Sequence, residues 1–336
     1  MHVPDHLLHD TTELVAAVSA VAVVATTSAL GTRRARPATA LRASPSKATL
    51  LAHPDRAAPQ LAVAALVFAL QMVNFPVLSG TSGHLLGGAL ATALIGPRRA
   101  LLALTAVVAS QALFFGDGGA VALGVNLWLI AILPVAVATA AGSLAQRRRS
   151  RTTASSETAS RLAVPAAAAL VAPAVSALAF SLLHALSGAS TVGLGGTVGP
   201  MLRVHLAIGV GEAAITVAVL AAVATVPRFD VARLTPVAAV WGLALCSSAV
   251  LSTVASAHPD GLERVATDLG FAVDGPTSIL SGGPLQDYVL SGVSGSAATS
   301  TAGLVGLVLT SAVAITLLAA GRATRRSGEA QPARIG

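Results

Sequence analysis

The chain has 336 residues, of which 54% are hydrophobic and only 10% charged, with a formal net charge of +7. Soluble domains carry about one-quarter charged residues, so this composition excludes a water-soluble globular protein and points to an all-α polytopic membrane protein. Aromatic residues are 3% of the chain, so the apolar mass is Ala, Val and Leu with many Gly, a mixture that lets membrane helices approach closely.

A spanning helix needs about 20 apolar residues. In chain order, stretches of this kind fall at 12–30, 61–78, 100–115, 121–144, 162–186, 204–226, 234–254 and 301–320, with a shorter Ser/Gly-rich stretch at 82–95. The expectation is therefore a helical bundle of about nine transmembrane spans. A polar linker at 147–161 separates the first five from the rest. Within the first span, Ala16 and Ala20, and again Ala25 and Ala29, form small-residue pairs of the kind used for helix contact.

Lys and Arg set the expected orientation. With the N-terminus outside, the cytoplasmic segments collect Arg33, Arg34, Arg36, Arg42, Lys47, Arg56, Arg98, Arg99, Arg147, Arg148, Arg149, Arg151, Arg161, Arg228, Arg233, Arg322, Arg325, Arg326 and Arg334. Only Arg203 and Arg264 fall outside, so the C-terminus is expected inside. The positive charge is a topology signal and calls for no nucleic-acid partner. The first ten residues, MHVPDHLLHD, lack a basic stretch and a cleavage site ahead of the first span. The terminus is therefore expected to be retained, and the protein to sit in the cell membrane as a multi-pass chain.

His2 is the first residue with distinctive chemistry. The terminal amine of Met1, the His2 amide nitrogen and the His2 imidazole can close fused chelate rings around one late first-row divalent metal such as Ni(II), Cu(II) or Co(II). One further nitrogen completes a four-nitrogen set. On the expected topology every His except His53 lies at or near the external face, among them His6, His9, His84, His184, His205 and His258. His84 sits in a turn rich in Gly and hydroxyl residues, where irregular backbone is tolerated at membrane depth if protein surrounds it. It is the candidate fourth ligand. The single Cys246 lies in an apolar run and excludes a Cys-based metal cluster.

Several strings now coincide: MHVPD at 1–5, GTSGHLLGG at 80–88, QALFFGDGG at 111–119, ALGVN at 122–126 and HLAIGVGEAAIT at 205–216. Together they resemble the CbiM/NikM-type substrate-binding subunit of cobalt and nickel energy-coupling-factor transporters. The resemblance implies Co2+ or Ni2+ as transported substrate, bound by Met1, His2 and His84, with no organic cofactor. It implies partners as well: a transmembrane coupling subunit and cytoplasmic ATPase subunits. His6 stands where the family usually has Gly. HPDGLE at 258–263, followed by Gly270-Phe271 and Asp287-Tyr288, resembles a PDGLE-type accessory segment, here fused. The implied division is a metal-binding membrane domain at 1–230, a PDGLE-type segment at 231–326 with an external loop at 255–300, and a cytoplasmic tail at 327–336.

Other residues carry weaker expectations. Gln111, Asn126 and His205 are candidate supports around the ligands, with Gln111 and Asn126 orienting His84 or the N-terminal loop. His184 is either a transient ligand or an ordinary hydrogen-bonding group. Glu212 is ionisable within a span, so a functional partner is the default and a structural hydrogen bond the alternative. In the external loop, Asp260, Glu263, Asp268, Asp274 and Asp287 either face water or attract cations and brace the N-terminal loop. The chain has no G-x-x-x-x-G-K-[ST] loop and no H-E-x-x-H motif, so neither ATP hydrolysis nor metalloprotease chemistry is expected of it. Two alternatives to an ATP-driven importer component stay open: a secondary transporter without ATPase partners, and a structural or signalling membrane protein.

Overall fold

The computed structural model describes residues 1–30, 57–78, 80–149, 157–225, 235–273, 275 and 278–329. Ten of the nineteen basic residues assigned to the cytoplasmic side, and the tail from 330, lie outside the described residues.

Among the described residues, seven helices are long and apolar enough to cross a membrane. They are α1 (Asp10–Leu30), α4 (Pro97–Ser110, prolonged by a π turn Gln111–Phe115), α6 (Leu133–Arg149), α7 (Glu157–Ser187), α8 (Leu194–Thr225), α9 (Thr235–Ala249) and α11 (Ser296–Glu329). The short α5 (Leu123–Asn126) and a second π turn, Leu127–Ile132, run straight into α6 and lengthen that span. The expected second and third spans differ. The second becomes α2 (Ala58–Gln71) followed by an antiparallel hairpin of β1 (Phe75–Leu78) and β2 (Thr81–Gly83), and the third shrinks to α3 (Gly88–Ile95). Asn74, Pro76 and the glycines of this stretch end the helix early.

At 1.5 Å per residue, α2 is only about 21 Å long against a hydrocarbon core of about 30 Å. It is nonetheless sheltered from lipid: Ala62 through Ala69 are 0% exposed, and α4, α9 and α11 surround it. Non-helical backbone beyond its end is tolerated because protein covers it. His84 and its neighbours 85–87 lie in the connecting loop between β2 and α3, all buried.

Apolar burial in lipid gives little drive for helix association, so close packing of small residues does more. A Cβ added to Gly124 would lie 2.2 Å from the Ala17 Cα, and one at Gly209 would lie 2.3 Å from the Leu170 carbonyl oxygen. Backbone approaches backbone at both points. Ala16 and Ala20 are buried in such a contact, whereas Ala25 faces outward, so only the first of the two small-residue pairs packs as expected. Both π turns free backbone groups; the Leu129 carbonyl is satisfied by the Ser176 hydroxyl at 2.7 Å.

The C-terminal segment is woven into the first. α9 and α11 pack on α2, α11 also packs on α4, and the Ser110 and Thr310 hydroxyls share a hydrogen bond of 2.7 Å. Between α9 and α11 the chain forms α10 (Gly261–Leu269) and a 3-10 turn, Gln286–Tyr288. These cover the end of the bundle where the N-terminus lies.

Candidate metal-binding site

The N-terminal residues are tucked into the protein: Met1 is 2% exposed and Val3 0%. Side-chain and backbone bonds hold the segment at three places. Asn126 accepts from the Val3 amide at 2.7 Å and donates to the Val3 carbonyl at 3.0 Å, and the Gly119 amide donates to the same carbonyl at 2.8 Å. Asp5 accepts from the amides of Val121 at 2.7 Å and Ala122 at 3.0 Å with one oxygen, and from Ile279 at 2.8 Å with the other. No side chain fits at 119, because a Cβ there would lie 2.0 Å from Asp5 Oδ1. The GDGG string is thus the floor on which residues 3–5 lie.

His84 arrives from the opposite wall. Its loop is pinned by Glu212, whose carboxylate accepts from the Leu86 amide at 3.0 Å and the Gly87 amide at 3.1 Å. Gly87 has φ +85°, and a Cβ there would sit 2.7 Å from Val67 Cγ1, so both the turn and the packing require glycine. His84 Nδ1 lies 3.1 Å from the Leu85 carbonyl and donates to it, which leaves the Nε2 lone pair aimed at the Met1 amine 2.5 Å away. Two cis ligands on metal–nitrogen bonds of about 2.0 Å are about 2.8 Å apart. The amine and His84 Nε2 are near that spacing.

The His2 ring stacks on His84, with centroids 4.9 Å apart and planes inclined by 22°. His2 Nε2 is 3.3 Å from Gln111 Oε1, and Nδ1 is 3.0 Å from Asp117 Oδ1. The shorter contact makes His2 Nδ1–H the donor to the Asp117 carboxylate, so Nδ1, the nitrogen that would close a six-membered chelate ring with the His2 amide, gives up that proton on taking a metal. Asp117 in turn accepts a short hydrogen bond from the Tyr288 hydroxyl.

Two acidic residues complete the surroundings. Asp260 is the N-cap of α10: Oδ1 accepts from the Leu262 amide at 2.7 Å and the Glu263 amide at 3.0 Å, with Glu263 closing a capping box. Its other oxygen, Oδ2, is 2.9 Å from the Met1 amine and 3.9 Å from His84 Nε2. His2, His84 and Asp260 bring their donor atoms within 4.8 Å of one another. Burial alone raises a carboxyl pKa, but the terminal ammonium and His84 outweigh it and hold Asp260 well below the usual carboxylate range. Burial opposes ionisation of Asp117 too, yet His2 and the Tyr288 hydroxyl bring it down to about 2. For His84, burial acts first and the neighbouring ammonium second, and its pKa falls to about 3. It is therefore neutral, as a ligand must be.

The remaining expectations divide. Gln111 reaches His2, whereas Asn126 clamps Val3 and leaves His84 alone. His205 is 1% exposed, gives its Nδ1 proton to the Met201 carbonyl at 2.8 Å and packs beneath Gly261; its Nε2 has no hydrogen-bond partner. His184 stacks on Phe180 and Phe271 and meets the Ser190 hydroxyl at 3.1 Å, an ordinary packing role. Glu212 takes the structural alternative. Sequence reasoning names neither Asp117 nor Asp260 as a ligand: Asp117 lies inside a glycine string, and Asp260 is one of five loop acids of which the set, and no single member, is expected either to face water or to attract cations and brace the N-terminal loop. The D-x-x-E spacing of Asp260 and Glu263 signals a helix start, but nothing local says that the helix start faces the N-terminus.

Fold and side chains together define a polytopic membrane protein with a buried, nitrogen-rich cluster at one end of its bundle. The model of the CbiM family, the cobalt uptake substrate-specific transmembrane region, matches residues 2–228, and the chain belongs to that family. A PDGLE domain matches residues 234–323. A protein of Archaeoglobus fulgidus, provisionally named as a fused nickel transport protein NikMN, is 34% identical over 264 residues, covering 76% of this chain and 83% of that one. A protein of Haloquadratum walsbyi, provisionally named as a metal transport protein, is 54% identical over 84 residues, but the match spans only 25% of this chain and 38% of that one. Among solved structures, a truncated transition metal transporter superposes with a TM-score of 0.51 at 25% identity, covering 66% of this chain and 97% of that chain.

Proposed function

We propose that this protein is the substrate-capture component of an importer of Co2+ or Ni2+, holding the ion by the Met1 amine, the His2 amide and imidazole, and His84. The observation that carries this reading is the pairing of the Met1 amine with the Nε2 lone pair of His84, whose tautomer is set by the Leu85 carbonyl. Three nitrogens come from the terminal dipeptide and the fourth from a buried loop. Asp260 Oδ2 neighbours both the amine and His84 and would add a negative charge beside the bound cation. Membership of a cobalt-uptake family and resemblance to nickel transport proteins support the choice of ions.

On this reading the energy for import against a gradient comes from a transmembrane coupling subunit and cytoplasmic ATPase subunits, because this chain carries no nucleotide-binding loop of its own. On this reading the terminus opens to the outside, and the basic segments face the cytoplasm, where those partners bind. The fused segment at 231–326 is a lid, supplying Asp260 and Tyr288 from the C-terminal side.

The decisive experiment adds one residue ahead of Met1, which keeps every side chain and moves the amine out of the chelate. Binding of Co2+ and Ni2+ to the purified protein is expected to collapse. Unchanged tight binding would overturn the assignment.

A further inference from the structure

A second set of ligating side chains lies four residues along the chain from His2. His6, Asp10 and Glu13 each offer a donor atom, and the three atoms lie within 4.8 Å of one another. His6 Nδ1 is 3.8 Å from Asp10 Oδ1. Carboxylates in the first turn of a helix are favoured by its dipole, and that suffices for Asp10, which is exposed. It does not account for Glu13.

Glu13 is 1% exposed, and neither of its carboxylate oxygens has a hydrogen-bond partner. The backbone amides of His6 and Leu8 face it but make no hydrogen bond of normal geometry. Asp5, 2% exposed, is near enough to repel it, and both Asp5 oxygens are already taken up by the amides of Val121, Ala122 and Ile279. Two buried carboxylates thus share one corner, one satisfied and the other not. A buried carboxylate without a partner is costly, and a cation held between Glu13, Asp10 and His6 removes that cost. His6 has φ +64°, a left-handed conformation that is strained for a non-glycine residue. The strain is borne at the position whose imidazole stands beside Asp10.

We infer that His6, Asp10 and Glu13 form a second, weaker site for a divalent transition metal, with one imidazole and two carboxylates as ligands. That donor set suits ions such as Co2+, Ni2+ or Zn2+. Two of its ligands are exposed and no chelate ring forms, so it exchanges faster than the terminal site. It concentrates the ion on the same short segment that carries His2, and its existence does not depend on the terminal chelate.

The test is Co2+ binding by the full chain in detergent, followed by equilibrium dialysis and visible absorption. The native protein is expected to take up two equivalents of distinct affinity. His6→Gly removes the imidazole while relaxing the backbone, so it should lose the weaker equivalent and raise the metal-free thermal midpoint. Asp10→Asn, at an exposed position, should lose the same equivalent without unfolding the protein. A residue added ahead of Met1 should remove the tight equivalent and leave the weak one, so the two assignments fail separately. Retention of the weaker equivalent in both His6→Gly and Asp10→Asn, or uptake of a single equivalent by the native chain, overturns the inference.

Discussion

The two matched segments contribute different chemistry to one cluster. The first segment supplies the nitrogens, the Met1 amine and the rings of His2 and His84, with the Asp117 carboxylate beside His2, while the second adds only a carboxylate and a phenol, through Asp260 and Tyr288. The nitrogens come from covalent neighbours and a loop pinned from within one segment. Asp260 comes from a helix start that only packing carries to the amine. On the reading proposed here, the first segment sets whether a metal binds and the second tunes how tightly it is held and when it leaves.

The sharpest break of that comparison is His84→Ala, which deletes the fourth nitrogen and leaves the lid intact. High-affinity binding of Co2+ and Ni2+ is expected to vanish in a titration of the purified protein. Glu212→Ala ranks next. It leaves the buried Leu86 and Gly87 amides without their acceptor, a loss of about 1–3 kcal/mol for each unsatisfied group. The thermal midpoint should fall and metal affinity with it, because the His84 loop is no longer held.

Asp260→Asn is milder. The amide oxygen keeps the cap on α10, while the charge beside the amine is lost, so affinity should drop but remain measurable. Should Asp260→Asn abolish binding as completely as His84→Ala, the division between a nitrogen-supplying and a tuning segment fails.

Acid acts gradually, and its sign at the site follows from groups that bind fewer protons when folded, His84 and Asp117 among them. Unfolded His84 takes a proton below pH 6.5, the folded protein not until about pH 3; for Asp117 the corresponding values are 3.8 and about 2. Both contributions to stability are fully present above their unfolded values and drain away as pH falls, first through His84 below pH 6.5 and then through Asp117 below 3.8. Thermal midpoints recorded against pH should decline in that order, and His84→Gln should flatten the upper limb.

Some of this was legible from residues alone. Hydropathy gave a helical membrane bundle because each long span carries its own apolar run, a local property. The chelating potential of Met1-His2 was legible because its three nitrogen donors are adjacent along the chain. The short strings around His84, Gln111 and Asn126 were legible as material of one cluster, and Gln111 and Asn126 both reach the N-terminal loop, one of the two alternatives expected of them. The second and third spans were not: an apolar count cannot separate a helix that crosses lipid from α2, which is buried in protein and turns into a hairpin at Asn74.

Composition, the length of each apolar run and the chemistry of Met1-His2 are therefore determined by sequence, since each depends on neighbours within a turn or two. The tertiary structure decided the rest: Asp260 against an amine 259 residues away, Tyr288 against Asp117, and the Glu13 carboxylate left buried beside Asp5. Those juxtapositions arise from how α10 and the C-terminal helices pack over the N-terminus, and no local pattern encodes which distant surface a helix start will meet.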